Sequence, residues 1–141
     1  MKANKVIAGS VIAVVLLASS PFILRLIWPL INDVKTGATP EYPDIQPQRF
    51  YKRHAEVCPA ALDAAKSLCW EIREYDEKMG TIEAIATMRF FKFKDDVTIT
   101  IIEEGNATVV NVRSKSRVGK GDLGTNARRI RAFQAELAKR L

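Results

Sequence analysis

Arg113, Ser114, Lys115, Ser116, Arg117, Lys120, Asp122, Asn126, Arg128, Arg129 and Arg131 all fall between positions 113 and 131, and Gly119, Gly121 and Gly124 punctuate the same stretch. Guanidinium, amide and hydroxyl groups gathered just before a helix could hold an anion against free backbone N–H groups. The glycines spell G-x-G-x-x-G between a strand-like and a helix-like segment, the local setting of a dinucleotide fingerprint. That fingerprint also needs a following parallel strand with an acidic residue about 20 positions on. Residues 125–141 read instead as one helix, so dinucleotide binding is set aside. The glycines are better explained by a tight reversal through positive φ, with Asp122 capping the helix by accepting backbone N–H bonds.

Seven cations (Arg113, Lys115, Arg117, Lys120, Arg128, Arg129 and Arg131) with only Asp122 near them in sequence would repel one another. Three neutralisers are available: Asp95 and Asp96 folding back from a neighbouring hairpin, solvent and salt, or a bound phosphate or lipid headgroup. The internal network is favoured, because Arg117 suits a bidentate carboxylate bridge and Asn126 can tie a loop carbonyl. Asp95, Asp96, Arg113, Ser114, Ser116, Arg117, Gly119, Asp122, Gly124, Asn126 and Arg129 therefore form the candidate polar corner, or an anion or partner site.

Other chemistries find less support. The single histidine, His54, lies far from Ser114 and Ser116 in sequence, so no nucleophile and base pair is proposed. Asp95 and Asp96 are adjacent, and in a strand they point to opposite faces, which disfavours a two-carboxylate acid/base pair. There is no Cys/His cluster for a metal. Cys58 and Cys69, if on one helix, are about 16 Å apart along its axis and beyond disulfide reach, with Cys69 expected to be buried. No catalytic residue, cofactor or metal is assigned. The net charge of +6 raises nucleic-acid binding, but the basic residues of this corner have no interleaved aromatics for base stacking, and none is expected.

Residues that could do chemistry need elements to position them. Pro59 sits just inside an expected helix start, and Leu62, Ala65, Leu68, Cys69 and Ile72 share one face, so a helix is expected from Cys58 to near Leu68. Strand-like alternation follows over residues 70–75 and 81–88, breaks at Lys94, Asp95 and Asp96, and resumes over 97–103 and 107–116. Ala127, Ile130, Phe133, Leu137 and Leu141 make the closing helix stripe. Short connections favour neighbouring antiparallel strands, so residues 58–141 are expected to form a two-layer α+β domain, a four-stranded antiparallel meander with two helices packed on one face (α-β-β-β-β-α). Its core is small, and the final helix carries much of the stability.

Ahead of that domain, residues 6–24 carry no charge and span about 28 Å as a helix, close to a bilayer's hydrocarbon thickness. The apolar character continues to residue 31 past Arg25 and Pro29. Residues 1–31 are expected to be an uncleaved signal-anchor, a transmembrane helix in contact with the lipid bilayer through residues 6–31. Its N-terminus, with Lys2 and Lys5, is cytoplasmic and the following domain periplasmic or lumenal. The alternative is secretion after signal cleavage. Residues 32–57, with Pro40, Pro43 and Pro47, are expected as an extended linker, along which Tyr42, Phe50 and Tyr51 could lie on the domain surface.

The pieces Tyr42-Pro43-Asp44-Ile45, Phe91-Lys92-Phe93-Lys94-Asp95-Asp96-Val97 and the long run from Arg113 through Asn126 to Arg129-Ile130 resemble the uncharacterised family called domain of unknown function 1499. Gly121 departs from that pattern, where a serine is expected. The resemblance implies a bacterial or plastid protein, often exported or membrane-attached, with no established activity. The functional expectation is a membrane-anchored accessory or structural protein docking on a membrane or envelope protein complex. The alternative is a binding module for a small anionic or lipidic ligand.

Overall fold

The computed structural model describes Ile23 and residues 27–141. Its elements run β1 (Asp33–Lys35), β2 (Gln48–Phe50), α1 (His54–Ser67), β3 (Glu71–Asp76), β4 (Thr81–Thr87), β5 (Lys94–Glu104), β6 (Ala107–Ser116) and α2 (Thr125–Ala138). Most of the proposed transmembrane segment, residues 1–31, lies outside the described residues. Among the described residues no helix is long and apolar enough to cross a membrane.

The fold is α+β, and β3 to β6 form the expected antiparallel meander, but the sheet has six strands, not four. The two additions come from residues 32–57. β1 pairs with Arg113–Lys115 of β6 and β2 with Thr108–Val110, both antiparallel, so they share one edge end to end. The extended linker is thereby corrected: Val34, Thr36, Ile45 and Val57 are buried, and Tyr42 and Phe50 pack partly buried against the core, while Tyr51 stays exposed. Strands three residues long cannot display a period of two, and their pairing depends on backbone groups that carry no side-chain signature.

The first helix also begins earlier than Pro59 indicated. Glu56 accepts a hydrogen bond from the Arg53 backbone N–H, closing the first turn of α1 ahead of His54. Pro59 then lies inside the helix, leaving the Ala55 carbonyl without its usual donor. β5 starts at Lys94, so Lys94, Asp95 and Asp96 belong to the strand rather than breaking it.

Alternation over residues 95–101 of β5 and 111–116 of β6 divides the sheet into two faces. Val97, Ile99, Ile101, Val110 and Val112 face the helices in a core with Ile82, Ala61, Ala65, Ile130, Phe133 and Leu137. Thr98, Thr100 and Arg113 face the other way, and Thr98 donates to Glu83 across β4 and β5 on that open face. At one end of the sheet lie the β4–β5 loop, the β6–α2 loop and the incoming chain at residues 27–33. The turns after Asp76 and Glu104 occupy the opposite end.

Candidate functional site

Asp95 is the β5 residue in phase with Val97 and Ile99, so strand geometry points it under α2 rather than to solvent. Ser114 and Ser116 take the equivalent positions on β6, opposite Val97 and Asp95. Asn126 and Arg129, one turn apart at the start of α2, come down on them. Arg129 donates to Asp95 Oδ2 at 2.7 Å, to Ser114 Oγ at 2.9 Å and to Asn126 Oδ1 at 2.8 Å. Ser114 donates to Asn126 Oδ1 at 2.6 Å. The Asn126 amide nitrogen donates to Ser116 Oγ at 2.9 Å and to the Asn32 carbonyl at 3.1 Å. The side chains of Asp95 and Arg129 are only 2% and 10% exposed. A charge pair taken out of water this far is tolerable because Asp95 Oδ2, Ser114 Oγ and Asn126 Oδ1 each receive an N–H from Arg129.

Asp122 completes the clasp. Its two carboxylate oxygens accept the backbone N–H groups of Gly124 and Asn126, both at 2.9 Å, and its own N–H donates to the Ile31 carbonyl. Gly119 and Gly124 hold the positive φ values that the loop needs, 86° and 74°. Gly121 is close to the incoming chain: a Cβ there would lie 2.8 Å from Leu30 Cδ1. A serine at this position would need Leu30 to swing aside.

The remaining members of the predicted corner sit on the open face. Arg117 grips Asp96 through Nε at 3.0 Å in a bidentate bridge, and Arg113 grips Asp33 through Nε at 2.9 Å. Both pairs are half exposed. The corner is therefore two layers, with Asp95, Ser114, Ser116, Asn126 and Arg129 buried beneath the helix and Asp96, Arg113 and Arg117 outside. The bridge expected of Arg117 exists, but the buried role belongs to Arg129. Arg117→Ala is accordingly expected to leave the melting temperature within experimental scatter of the unmodified protein by circular dichroism, since exposed pairs contribute little.

Hydrogen bonds from Arg113 and Arg117 hold the Asp33 and Asp96 carboxyls below their usual value of 3.8. Those from Lys139 and Arg140 bring Glu136 down to about 2. A folded-state pKa below the unfolded one adds stability that is present above the unfolded pKa and lost as pH falls through the folded value. The thermal midpoint is expected to stay level from pH 7 to about 5 and to decline below about 4, with the decline reduced in high salt. A midpoint that rises on acidification would contradict these pairings.

Sequence reasoning missed Asn32 and Asp33, whose parts are played from the misassigned linker. The signal for Arg129 was present: Asn126 is in phase with Ile130, Phe133 and Leu137, so a polar residue on the apolar stripe calls for buried partners. Cys69 departs from the burial expected of it. Cys58 is buried and Cys69 exposed, both as free thiols, and burial pushes the Cys58 thiol up to about 11. His54 lies on the first turn of α1, 3.4 Å from the Cys58 sulfur. A thiol held protonated is not an activated nucleophile. Among the described residues no three His, Cys, Asp or Glu side chains gather into a metal site.

Beside the clasp, Met88, Phe91, Phe93, Val118 and Leu123 line a recess of about 240 Å³ whose floor includes Asp95, Ser116 and Thr125. Arg128 lies at its edge and donates to the Leu123 carbonyl and to Thr125 Oγ1.

The chain is thus of the two-layer α+β class, its closing helix joined to the sheet by a buried Asp-Arg-Asn-Ser network. The chain belongs to the family described as protein of unknown function (DUF1499), whose model matches residues 24–137. No curated protein matches it. The matched span includes β1 and β2, in keeping with their place in the sheet.

Proposed function

We propose that the protein is a single-pass, membrane-anchored accessory protein whose periplasmic or lumenal domain docks on a membrane or envelope protein complex. The observation that carries this reading is the way the incoming chain joins the domain. Six residues beyond the uncharged run 6–24, residues 31–35 are bonded into the clasp and β6, so the chain enters the sheet without a long spacer. The pairing of Arg113, Arg117, Arg129 and Arg131 with carboxylates supports a docking scaffold over an anion receptor, because no guanidinium in those pairs is left for a ligand. The open sheet face, with Thr98, Thr100 and Arg113, offers a flat surface for a partner. The reading assigns no reaction, cofactor or metal to the chain.

The second reading, a small anionic or lipidic ligand module, is favoured by the recess beside Arg128, which has no carboxylate partner among the described residues. Its volume of about 240 Å³ is below the range of ordinary small-molecule sites, roughly 300–1,000 Å³. Crosslinking in native membranes followed by purification tests the first reading. A stoichiometric protein partner is expected, and recovery of the chain alone with linkers of every length would overturn docking. The mass of the mature protein tests the anchor: loss of about 20 N-terminal residues would replace it with secretion. A reporter fused after Leu141 tests orientation, and activity confined to the cytoplasm would reverse it.

A further inference from the structure

We infer that the end of the domain formed by residues 88–94 and 116–123 is a docking face for an anionic lipid surface. This rests on the anchored reading and adds to it which surface meets the bilayer.

Three observations converge on that end. The first is apolar exposure: Phe90 is 88% exposed, Phe91 71%, Val118 59% and Leu123 56%, while Phe91 and Phe93 stack on each other with centroids 5.9 Å apart. The loop holding them is a built feature, closed by Met88 N–H to the Phe93 carbonyl at 2.8 Å and by Lys92 N–H to the Met88 carbonyl at 3.1 Å. The hydrophobic effect does not leave several aromatic rings in water on a small domain without a surface to cover them.

The second observation is charge. Residues 88–94 and 116–123 carry Arg89, Lys92, Lys94, Arg117 and Lys120 against Asp122 alone. Arg89, Lys92, Lys94 and Lys120 are in no ion pair among the described residues. The nearby acids are occupied, Asp33, Asp95 and Asp96 by arginines and Asp122 by backbone N–H groups. The turns at the opposite end, residues 76–80 and 103–106, carry four acids against Lys78. Lysines interleaved with bare aromatic rings match a headgroup layer, where rings sit at the interface and ammonium groups reach anionic lipid. They match a protein interface poorly, since lysine is depleted from interface cores.

The third is tether length. Leu24 ends the uncharged run and Ile27 is three residues on, at most about 11 Å of extended chain. Leu30 and Trp28 pack against the Gly121 and Gly124 positions of the same end, and Ile27 and Leu30 are themselves more than half exposed there. If residues 6–24 occupy the bilayer, the chain leaves this end of the domain nowhere else to be.

The test uses the full chain with Cys69→Ser, the buried Cys58 left in place, and single cysteines for spin labels at Val15, Phe91 or Met79. Each protein is placed in nanodiscs of mixed phosphatidylcholine and phosphatidylglycerol, and oxygen and nickel-chelate accessibilities are measured. A label at position 91 is expected to report the lipid interface and a label at 79, on the opposite end, water. Reversing Lys92, Lys94 and Lys120 to glutamate should cut the lipid-contacted fraction roughly tenfold, as should nanodiscs without phosphatidylglycerol. A label at 15 in lipid with 91 in water would overturn the docking face and leave the anchor standing. A label at 15 outside lipid would fail the anchor reading itself, and position 91 then decides the face alone. Protection of 91 from both reagents, or spin–spin broadening that grows with protein concentration, would mean that protein covers the rings, the chain's own apolar segment or a second copy, and would also overturn it.

Discussion

Arg129→Ala is expected to lower the unfolding free energy by about 3–5 kcal/mol, the usual cost of removing one partner of a buried ion pair. The Asp95 carboxylate would stay buried without its donor, and Ser114 Oγ and Asn126 Oδ1 would each lose an N–H. Lysine should rescue poorly, because one ammonium cannot reproduce a planar fork that serves three acceptors. A double-mutant cycle separates pairing from burial: Asp95→Leu combined with Arg129→Met removes both charges and should cost much less than the two single changes added together. Urea unfolding followed by the fluorescence of Trp28 and Trp70 reads each of these proteins. An Arg129→Ala loss of under about 1 kcal/mol would mean that water reaches Asp95.

Phe133→Ala should rival it, at about 3–5 kcal/mol. The ring is fully buried in the middle of the α2 stripe and stacks on Trp70, with centroids 5.6 Å apart and planes at 19°. Truncation leaves a void between α2 and the residues just before β3, where the backbone is already committed by Cys69 at φ 60° and cannot collapse inward. Phe133→Leu keeps most of the volume and should cost under about 1.5 kcal/mol. If both changes cost the same, volume is not what this position supplies.

The elements that show in the sequence are those whose side chains repeat often enough to reveal a face. β5 and β6 run eleven and ten residues, and alternation separates core from open face over 95–101 and 111–116, while Ala107, Thr108, Val109 and Val110 are all buried. The same logic places Asp95 and Asp96 on opposite faces, which the structure bears out. α2 shows equally well, with Ala127, Ile130, Phe133 and Leu137 all buried. β1 and β2 do not show, since three residues between prolines carry no pattern and their pairing with β6 is a backbone matter. The fitness of a guanidinium for a bidentate bridge drew Arg117 to the carboxylates, and it does meet Asp96. The depth of Arg129 depends on α2 lying across the ends of β5 and β6, a tertiary fact. Phe91 and Phe93 entered only as part of the family resemblance, and their exposure went unread because they interrupt a strand pattern, and an interruption reads as loop whatever it contains.

The short β1–β6 pairing, with the Ile31 and Asn32 carbonyls bonded into the clasp, has a mechanical consequence. Tension arriving from the N-terminal side meets these bonds first and peels them singly, from the end, before it can shear the longer β5–β6 ladder. The molecule should therefore yield in two stages under a pulling force. A small early extension would free the chain up to β2 and loosen the grip on Asn126, and a larger rupture of the sheet would follow. Single-molecule extension showing one rupture only would mean that the load is shared from the outset.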